Sequence, residues 1–189
     1  MKDETIPSAT TPHPPGAGES GGGKFLLETH RLTLRELTFD DTDSLLSILS
    51  DPVAMRWYPQ TYSREETRGW IERTRASYEK HGHGFWACIL KESGGFAGIC
   101  GILQQTVEDA EEKEVGYLFV RRLWNQGLAT EAARACFEYG FNILHFPRII
   151  SMIRPENLPS QRVAQKNGLV LEREVFWKGF VHGVWARME

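Results

Sequence analysis

The sequence has few of the features that would assign it to the disulfide-rich, membrane or secreted proteins. Only three cysteines occur among 189 residues, and Cys88, Cys100 and Cys136 are widely spaced among apolar neighbours without a CxxC pair. This usage predicts reduced, buried thiols. No apolar run approaches the roughly 18 residues that a membrane-spanning helix needs. The N-terminus also lacks the charged-then-apolar profile of a secretory signal, so we expect a cytoplasmic protein.

Neither positively nor negatively charged residues are in large excess. The chain has 22 Lys and Arg residues against 25 Asp and Glu residues, which gives a formal net charge of −3. Without a basic excess, nucleic-acid binding has no electrostatic basis. The hydrophobic content of 41% and the charged content of 25% are typical of a globular protein. The length allows one domain with a substantial core.

The first 24 residues differ in composition from the rest of the chain. The segment MKDETIPSATTPHPPGAGESGGGK is dominated by Pro, Gly, Ser and Thr. Such a segment has too little apolar surface to offset the entropy lost on ordering. We therefore predict a flexible tail over residues 1–24, without a catalytic role, and a single domain over residues 25–189.

Periodic segments follow from residue 25 onward. Apolar and alternating runs predict strands in FLLETHRLTLREL, GFWACIL, GFAGICGILQ, EEKEVGYLFV, RIISMI, LVLEREVFWKG and FVHGVWARME. Capping and periodicity signals predict helices in DDTDSLLSILSDP, SREETRGWIERTRASYEKH, residues 128–144 and NLPSQRVAQKNG. Ser63 and Glu66 have the spacing of a capping box, and Asn157 is placed as an N-cap. The order β-α-α-β-β-β-α-β-α-β-β indicates an α+β domain, a mixed α/β sheet with helices on its faces.

The stretch RRLWNQGLATEAA, which covers residues 121–133, has the composition of an anion site. The first amides of a helix have no helical acceptor, and the helix dipole adds positive potential there. Gly127 allows backbone to approach a ligand closely, and Ala129 keeps the next turn free of bulk. Arg121 and Arg122 lie just upstream. On these residues alone, an ordinary loop-to-helix joint explains the stretch equally well.

Four stretches together resemble the GNAT superfamily of acetyl-CoA-dependent N-acetyltransferases, in particular the Rim-type branch that acetylates ribosomal-protein N-termini. They are LLETHRLTLREL, EVGYLFVRRLWNQGLATEA, NLPSQRVAQKNGLVLE and WKGFVHGVWARME. The superfamily's phosphate motif, Gln/Arg-x-x-Gly-x-Gly/Ala, falls on residues 124–129, where Trp124 replaces the first Gln or Arg. The resemblance covers residues 25–189.

The resemblance implies a GNAT fold, in which a mostly antiparallel sheet of about seven strands splays in the middle and carries about four helices. The strand EVGYLFV would diverge from RIISMI and leave a slot for the thioester. The implied cosubstrate is acetyl-CoA, with its pyrophosphate on the amides that open the helix and its pantetheine arm along the preceding strand. The implied binding residues are Leu118, Phe119, Val120, Asn125, Gln126, Gly127, Leu128, Ala129, Thr130 and Asn157. The alternative role of Asn157 is that of a helix cap, and the two roles are compatible.

Two residues are candidates for proton transfer. Glu114, on the strand beside the slot, is the candidate general base, acting through water. The alternative is a solvated carboxylate within the run of Glu111, Glu112 and Lys113. The family often places a tyrosine seven residues after the position of Asn157, but Ala164 stands there. Ser160 is the substitute expected in Rim-type relatives, as the proton donor to the leaving sulfur, and its alternative role is that of a first-turn helix hydroxyl.

Other polar and aromatic residues have weaker assignments. Trp57 and Tyr58 lie where relatives line the acceptor site, although a core role is equally compatible with the sequence. Trp177 and His182, near the last hairpin, are weaker candidates for the same wall, and Glu131 is expected to support the loop. His81 and His83 form an H-x-H pair, but no further ligands follow at the spacing of a metal site, so we predict no metal.

The acceptor is best matched to a protein or peptide α-amine. The reference pKa of an α-amine is about 7.7–8.0 and that of lysine about 10.4, so deprotonation at pH 7 costs roughly 1 and 4.6 kcal/mol respectively. A chain with no obvious strong base suits the α-amine. Two alternatives stay open, which are a small-molecule amine (polyamine, amino acid or antibiotic) and an acyl-CoA-binding module without turnover. The expected protein is a monomer or homodimer that binds neither nucleic acid nor membrane.

Overall fold

The computed structural model describes residues 23–189. Residues 1–22, which make up most of the predicted tail, lie outside the described residues. The described part of the chain contacts the sheet from its second residue, because the carbonyl of Lys24 accepts a hydrogen bond of 2.8 Å from the amide of Glu36. Among residues 23–189, no helix is both long and apolar enough to cross a membrane.

The described residues form one eight-stranded sheet with the order β1-β2-β3-β4-β5-β6-β8-β7. The strands are β1 (Phe25–Glu28), β2 (Leu32–Glu36), β3 (Phe85–Leu90), β4 (Phe96–Val107), β5 (Ala110–Phe119), β6 (Arg148–Ile153), β7 (Val170–Trp177) and β8 (Phe180–Met188). All neighbours are antiparallel except β5 and β6. The predicted α+β class and mostly antiparallel sheet are confirmed. The count exceeds seven because a turn, closed by Thr29 N to Leu32 O at 2.8 Å, divides the first predicted strand in two.

Four α-helices are found in the part of the chain that the structure describes. They are α1 (Thr42–Leu49), α2 (Arg64–His81), α3 (Leu128–Asn142) and α4 (Leu158–Lys166). The predicted capping box is present, with Glu66 N to Ser63 Oγ at 3.2 Å and Ser63 N to Glu66 Oε2 at 2.7 Å. The prediction of α3 as far as residue 144 was two residues too long, because the amide of Phe146 bonds back to the carbonyl of Gly140 at 3.0 Å and closes the helix.

Helices cover both faces of the sheet. The helix α3 packs Ala132, Cys136 and Phe137 onto one face, whereas α1 and α2 pack their apolar residues onto the other. A large apolar side chain such as that of Phe137 contributes about 1.5–3 kcal/mol when it leaves water completely. The three cysteines are free and buried, as predicted. The two layers therefore fix the helices against the sheet and set the position of its central opening.

The opening lies between β5 and β6, where the sheet splays. These strands pair at a single register position, Glu114 with Ile150. Next to it, the hydroxyl of Ser151 donates to the carbonyl of Val115 at 2.8 Å and holds the junction closed. Beyond this point, no further pairing of the two strands is found within residues 23–189. The predicted splayed sheet is confirmed, and the gap it leaves is the origin of the cleft described below.

The end of the sheet formed by β7 and β8 curls back toward the end of β4. Two-residue turns, Glu108–Asp109 and Lys178–Gly179, have the positive φ angles typical of tight hairpins. The indole Nε1 of Trp177 donates to the carbonyl of Thr106 at 3.0 Å, which brings β7 back toward β4. A small apolar cluster fills the curl. The turn between β7 and β8 is thereby placed on the same face of the sheet as Glu114.

Candidate active site

A cleft of about 440 Å³ occupies the gap between the diverging strands. Its walls come from the segment after α1, the end of β5, the first turn of α3 and the first turns of α4. The predicted site residues meet there except Glu114, Val120 and Gln126. The lining residues are Ala54, Arg56, Trp57, Tyr58, Tyr117, Leu118, Phe119, Leu123, Trp124, Asn125, Gly127, Leu128, Ala129, Thr130, Asn157, Pro159, Ser160, Arg162, Val163 and Lys166.

The first turn of α3 presents unpartnered backbone amides to this cleft. Gly127 precedes the helix with φ of 79°, and no side chain among residues 23–189 caps the helix start. The first helical bond, 3.0 Å long, runs from Glu131 N to Gly127 O, so the amides of Leu128, Ala129 and Thr130 precede the helical ladder. A Cβ at Gly127 would meet only Arg31 Nη2, at 3.6 Å. The space before these amides is open, and they fit a phosphate group.

A group of hydrogen bonds around Glu131, which we call the Glu131 clasp, connects the start of the sheet to this turn and holds the turn in place. The carboxylate of Glu131 accepts hydrogen bonds from Thr29 Oγ1 at 2.5 Å and from Arg31 N and Nε at 2.7 Å each. Arg31 also donates to the carbonyl of Gln126 at 2.9 Å. Although partial burial alone would raise it, these bonds hold the pKa of Glu131 below its usual value. Glu131 therefore supports the loop, and its charge is compensated before any anion arrives.

The end of β5 differs from the simple backbone ladder that the resemblance implies. Leu118 and Phe119 line the cleft, but Val120 lies outside it and its amide bonds to the carbonyl of Ala97 at 2.9 Å. The carbonyl of Phe119 accepts a 2.7 Å hydrogen bond from the indole of Trp124. The tryptophan that departs from the phosphate motif thus ties the loop to the strand. Gln126 turns its side chain to the carbonyl of Arg122 instead of the cleft.

Glu114 is buried beside the junction of β5 and β6. Glu114 is only 8% exposed, so the alternative of a solvated carboxylate does not hold for this residue. Gln105 Nε2 donates to its carboxylate at 2.7 Å, and Met152 N donates at 3.3 Å. Burial raises the pKa of Glu114, while these two donors and the charge of Lys178 oppose the rise. A carboxylate with a raised pKa is a stronger base at neutral pH than an exposed one.

Trp57 and Tyr58 line the cleft from the segment after α1, and neither belongs to an apolar core cluster. Tyr58 is 42% exposed as a whole residue and lines the cleft. Burial there, and then the nearby charge of Glu114, raise the pKa of this phenol. Glu114 is therefore close to the cleft through Tyr58, although it does not line it.

The first turn of α4 carries both of its predicted residues into the cleft. Asn157 accepts a hydrogen bond of 3.3 Å from Ser160 N, so it caps the helix as well as lining the cleft. The carbonyl of Ser160 accepts a bond of 3.1 Å from the hydroxyl of Tyr117. Ala164 is 2% exposed within the core, so that position offers no hydroxyl. Asn157, Ser160 and Tyr117 thus form a polar corner that lines the same cleft as the first turn of α3.

Tyr117 is the most important lining residue that the sequence analysis missed. Burial raises the pKa of its phenol, which stays protonated and able to donate at neutral pH. Its signal was present, since Tyr117 closes the EVGY segment that begins with Glu114. Arg162 and Lys166 were also missed, and they lie one turn apart on the face of α4 that lines the cleft.

The H-x-H pair has a structural explanation. His83 is buried, with Nδ1 2.9 Å from the carbonyl of Ile102, and burial lowers the pKa of its imidazole. The rings of His81 and His83 are 5.9 Å apart. Over residues 23–189, no group of three or more His, Cys, Asp or Glu residues has the arrangement of a metal site.

Comparisons of sequence agree with this geometry. Residues 31–170 match the family model described as "Acetyltransferase (GNAT) domain". The chain is 38% identical to the uncharacterized protein YkkB of Bacillus subtilis over 77% of this chain and 86% of that protein. It is 30% identical to the uncharacterized N-acetyltransferase YnaD of the same organism, over 80% of this chain and 85% of that one. At 23% identity, it also matches the spermidine N(1)-acetyltransferase of Escherichia coli over 82% and 81% of the two chains.

Comparisons of structure lead to the same family. A GNAT-family acetyltransferase from Bacillus anthracis superposes with a TM-score of 0.75 at 26% identity, over 87% of this chain and 98% of that chain. The ribosomal-protein α-N-acetyltransferase RimL, solved with coenzyme A, shares the fold with a TM-score of 0.69 at 18% identity, over 87% and 98% of the chains. The alternative of a binding module without turnover is set aside. The chain belongs to the GNAT family and is an acetyl-CoA-dependent N-acetyltransferase.

Proposed function

We propose that this enzyme acetylates the N-terminal α-amine of a peptide or protein, as a Rim-type acetyltransferase. The observation that carries the proposal is the buried carboxylate of Glu114 beside an open, half-exposed acceptor wall at Trp57 and Tyr58. One carboxylate with a raised pKa matches an amine whose own pKa is near neutrality better than a lysine amine. An open wall also suits an acceptor that continues away from the reactive amine.

In the proposed reaction, backbone amides at the start of α3 hold the pyrophosphate of acetyl-CoA and fix the thioester in the splayed gap. The α-amine gives a proton, through water, to Glu114, and its nitrogen attacks the thioester carbon. The new C–N bond forms, the C–S bond breaks, and the sulfur leaves as a thiolate. The hydroxyl of Ser160 or Tyr117 supplies the proton that completes the thiol. The protein mainly positions reactants and moves protons, because the thioester is already activated.

A small-molecule amine is the second candidate, and one observation favours it. Two of the matched proteins with a named substrate act on small amines, which are a spermidine N(1)-acetyltransferase and an aminoglycoside acetyltransferase. The decisive experiment is thiol release from acetyl-CoA with three sets of acceptors, which are free-N-terminus peptides, the same peptides with blocked N-termini, and polyamines. We expect release only with free peptides. Release with polyamines alone would overturn the proposal.

We also infer a cytoplasmic location and a monomeric or homodimeric state. The support for the location is the presence of three free, buried thiols, which is typical of proteins in reducing compartments. Size-exclusion chromatography with light scattering on the purified full chain would distinguish the two oligomeric states.

A further inference from the structure

A second group of side chains lies on the same face of the sheet as Glu114, around the turn between β7 and β8. We call it the acceptor rim, and it consists of Arg154, Trp177, Lys178, Phe180 and His182. Ile150 pairs with Glu114, and Met152 donates its amide to the carboxylate of Glu114. Arg154 directly follows the last residue of β6, two positions after Met152. Met152 and Trp177 pack against the same apolar cluster, which joins the rim to the base.

Arg154 is held in place without a strong anionic partner. Its side chain is 21% exposed, and its guanidinium carbon lies 4.2 Å from the ring centroid of Phe180. Its Nε is buried and makes no hydrogen bond with residues 23–189. The nearest acidic group is Glu156, 60% exposed, with Oε2 3.5 Å from this nitrogen. A buried N–H without an acceptor is costly, and a guanidinium is well suited to a carboxylate.

A second cation lies on the other side of the rim. The Lys178 ammonium is 3.9 Å from the ring centroid of Trp177, whose ring meets His182 edge-on at 5.4 Å. His182 Nδ1 lies 3.1 Å from the carbonyl of Phe180. Burial, and then the charges of Arg154 and Lys178, lower the pKa of His182, so the imidazole is neutral while both cations face it. The acidic groups that oppose them are Glu114 and Glu156.

From these contacts, we propose that the acceptor rim binds an anionic group of the acceptor, with Arg154 and Lys178 as the recognising cations. The inference rests on the proposed function and names its substrate class, a peptide with an acidic side chain next to the reactive α-amine. The amine would approach Glu114 while the acid meets the rim. A polyamine would instead bring ammonium groups against two cations, and like charges in contact oppose binding.

The first test compares acceptor peptides that differ only in the second residue, which is glutamate, glutamine or lysine. We expect KM to be about fivefold to tenfold lower for glutamate than for lysine, since each exposed charge contact is worth only a few-fold. Arg154→Gln and Lys178→Gln should each remove much of the difference, and Lys178→Glu should reverse it. Arg173→Gln is the matched control, because Arg173 lies on the same hairpin but pairs with Glu108. It should keep the preference.

A binding measurement separates this inference from the proposed function. Titration calorimetry of CoA-saturated protein with the N-acetylated product peptides needs no turnover. We expect tighter binding of the glutamate peptide than of the lysine peptide, with a difference that shrinks as salt rises from 0.05 to 0.3 M. Equal affinities, or a preference for lysine, would overturn the inference even if peptides are acetylated. A glutamate preference without peptide turnover would overturn the proposed function alone.

Discussion

The two halves of the site differ in the groups that form them, which are backbone amides in one half and side chains in the other. The half that fits phosphate consists of backbone amides at the start of one helix, with Gly127 as the residue that leaves space before them. The half to which the proposed function assigns the acceptor consists of side chains from separate segments, with Tyr58 in the lining and with Glu114 and Lys178 beside the cleft. In the proposed function, the first half recognises a group common to every acetyl-CoA molecule. The second has to match one acceptor, and side chains change more readily than a backbone path.

The two halves also differ in how firmly they are held. The first turn of α3 is fixed by the Glu131 clasp and by Asn167, whose Nδ2 donates to the carbonyl of Thr130 at 3.3 Å. The acceptor wall is looser, since Tyr58 is half-exposed and Lys178 lies on a two-residue turn. Changes in the first half should therefore affect every acceptor alike. Changes in the second should alter the rate or the choice of acceptor while acetyl-CoA still binds.

The largest effect is expected from a negative charge placed among the amides. Ala129→Asp should weaken acetyl-CoA binding by about 100-fold, because like charges in contact cost several kcal/mol. The same carboxylate lies in the first turn of a helix, where it favours the dipole, so the melting temperature should not fall. Calorimetry with CoA and a thermal melt measure both effects.

The matched control for that variant is Ala129→Asn, which adds nearly the same bulk without the charge. It should lose much less affinity than the aspartate. If asparagine and aspartate weaken CoA binding equally, the cause is bulk, and the amides of α3 do not carry the phosphate. If neither change affects CoA binding, the phosphate does not bind at the first turn of α3, and the distinction between a half formed by backbone amides and a half formed by side chains does not hold.

In the acceptor half, Glu114→Gln should lower kcat by about 100-fold, the low end of what a general base contributes. Affinity for acetyl-CoA should stay the same. The pKa of Glu114 is raised, so the wild-type rate should begin to fall at a higher pH than an exposed glutamate would allow, as the base becomes protonated. The variant should lack that acidic limb. A pH series of kcat with one peptide acceptor measures it.

Glu111→Gln is the control for that experiment, since Glu111 is exposed on the same strand. It should leave kcat and its pH dependence unchanged. A Glu114→Gln enzyme that keeps half or more of the wild-type rate at every pH would contradict the assignment of the base. In that case the polar corner at α4 would have to supply the proton acceptor.

Much of the fold followed from local signals in the sequence. The capping box at Ser63, the cap at Asn157 and the glycine before α3 each have a short-range cause, and each was predicted from residues a few positions apart. The end of α3 was missed because its closing bond reaches from Phe146 to Gly140, and periodicity does not report such a bond. The site divides in the same way. The open first turn of α3, with Gly127 before it, was predictable because its residues are consecutive.

The acceptor half was less predictable because its members meet only through the curl of the sheet. Trp177 donates to Thr106 across 71 residues of sequence, and this contact places the last hairpin near Glu114. No spacing rule connects those positions. Tyr117 was missed for another reason, since a tyrosine within a strand pattern is ordinarily read as packing. Only the structure shows its hydroxyl against the first turn of α4.

The smallest effect is expected at that polar corner, where two hydroxyls are available for one proton. A thiol of reference pKa about 8.5 leaves as a thiolate at little cost near pH 7, so its proton donor matters less than the base. Ser160→Ala and Tyr117→Phe should each lower kcat by about threefold or less, because the other hydroxyl remains, and the double variant should lose about tenfold, less than the loss expected for the base. Both losses should shrink at pH 9, where the thiolate is stable without a donor. Equal rates for the wild type and the double variant would show that the thiolate leaves without a proton donor. A large fall in the melting temperature of Tyr117→Phe would instead show that the Tyr117 hydroxyl mainly stabilises the position of α4.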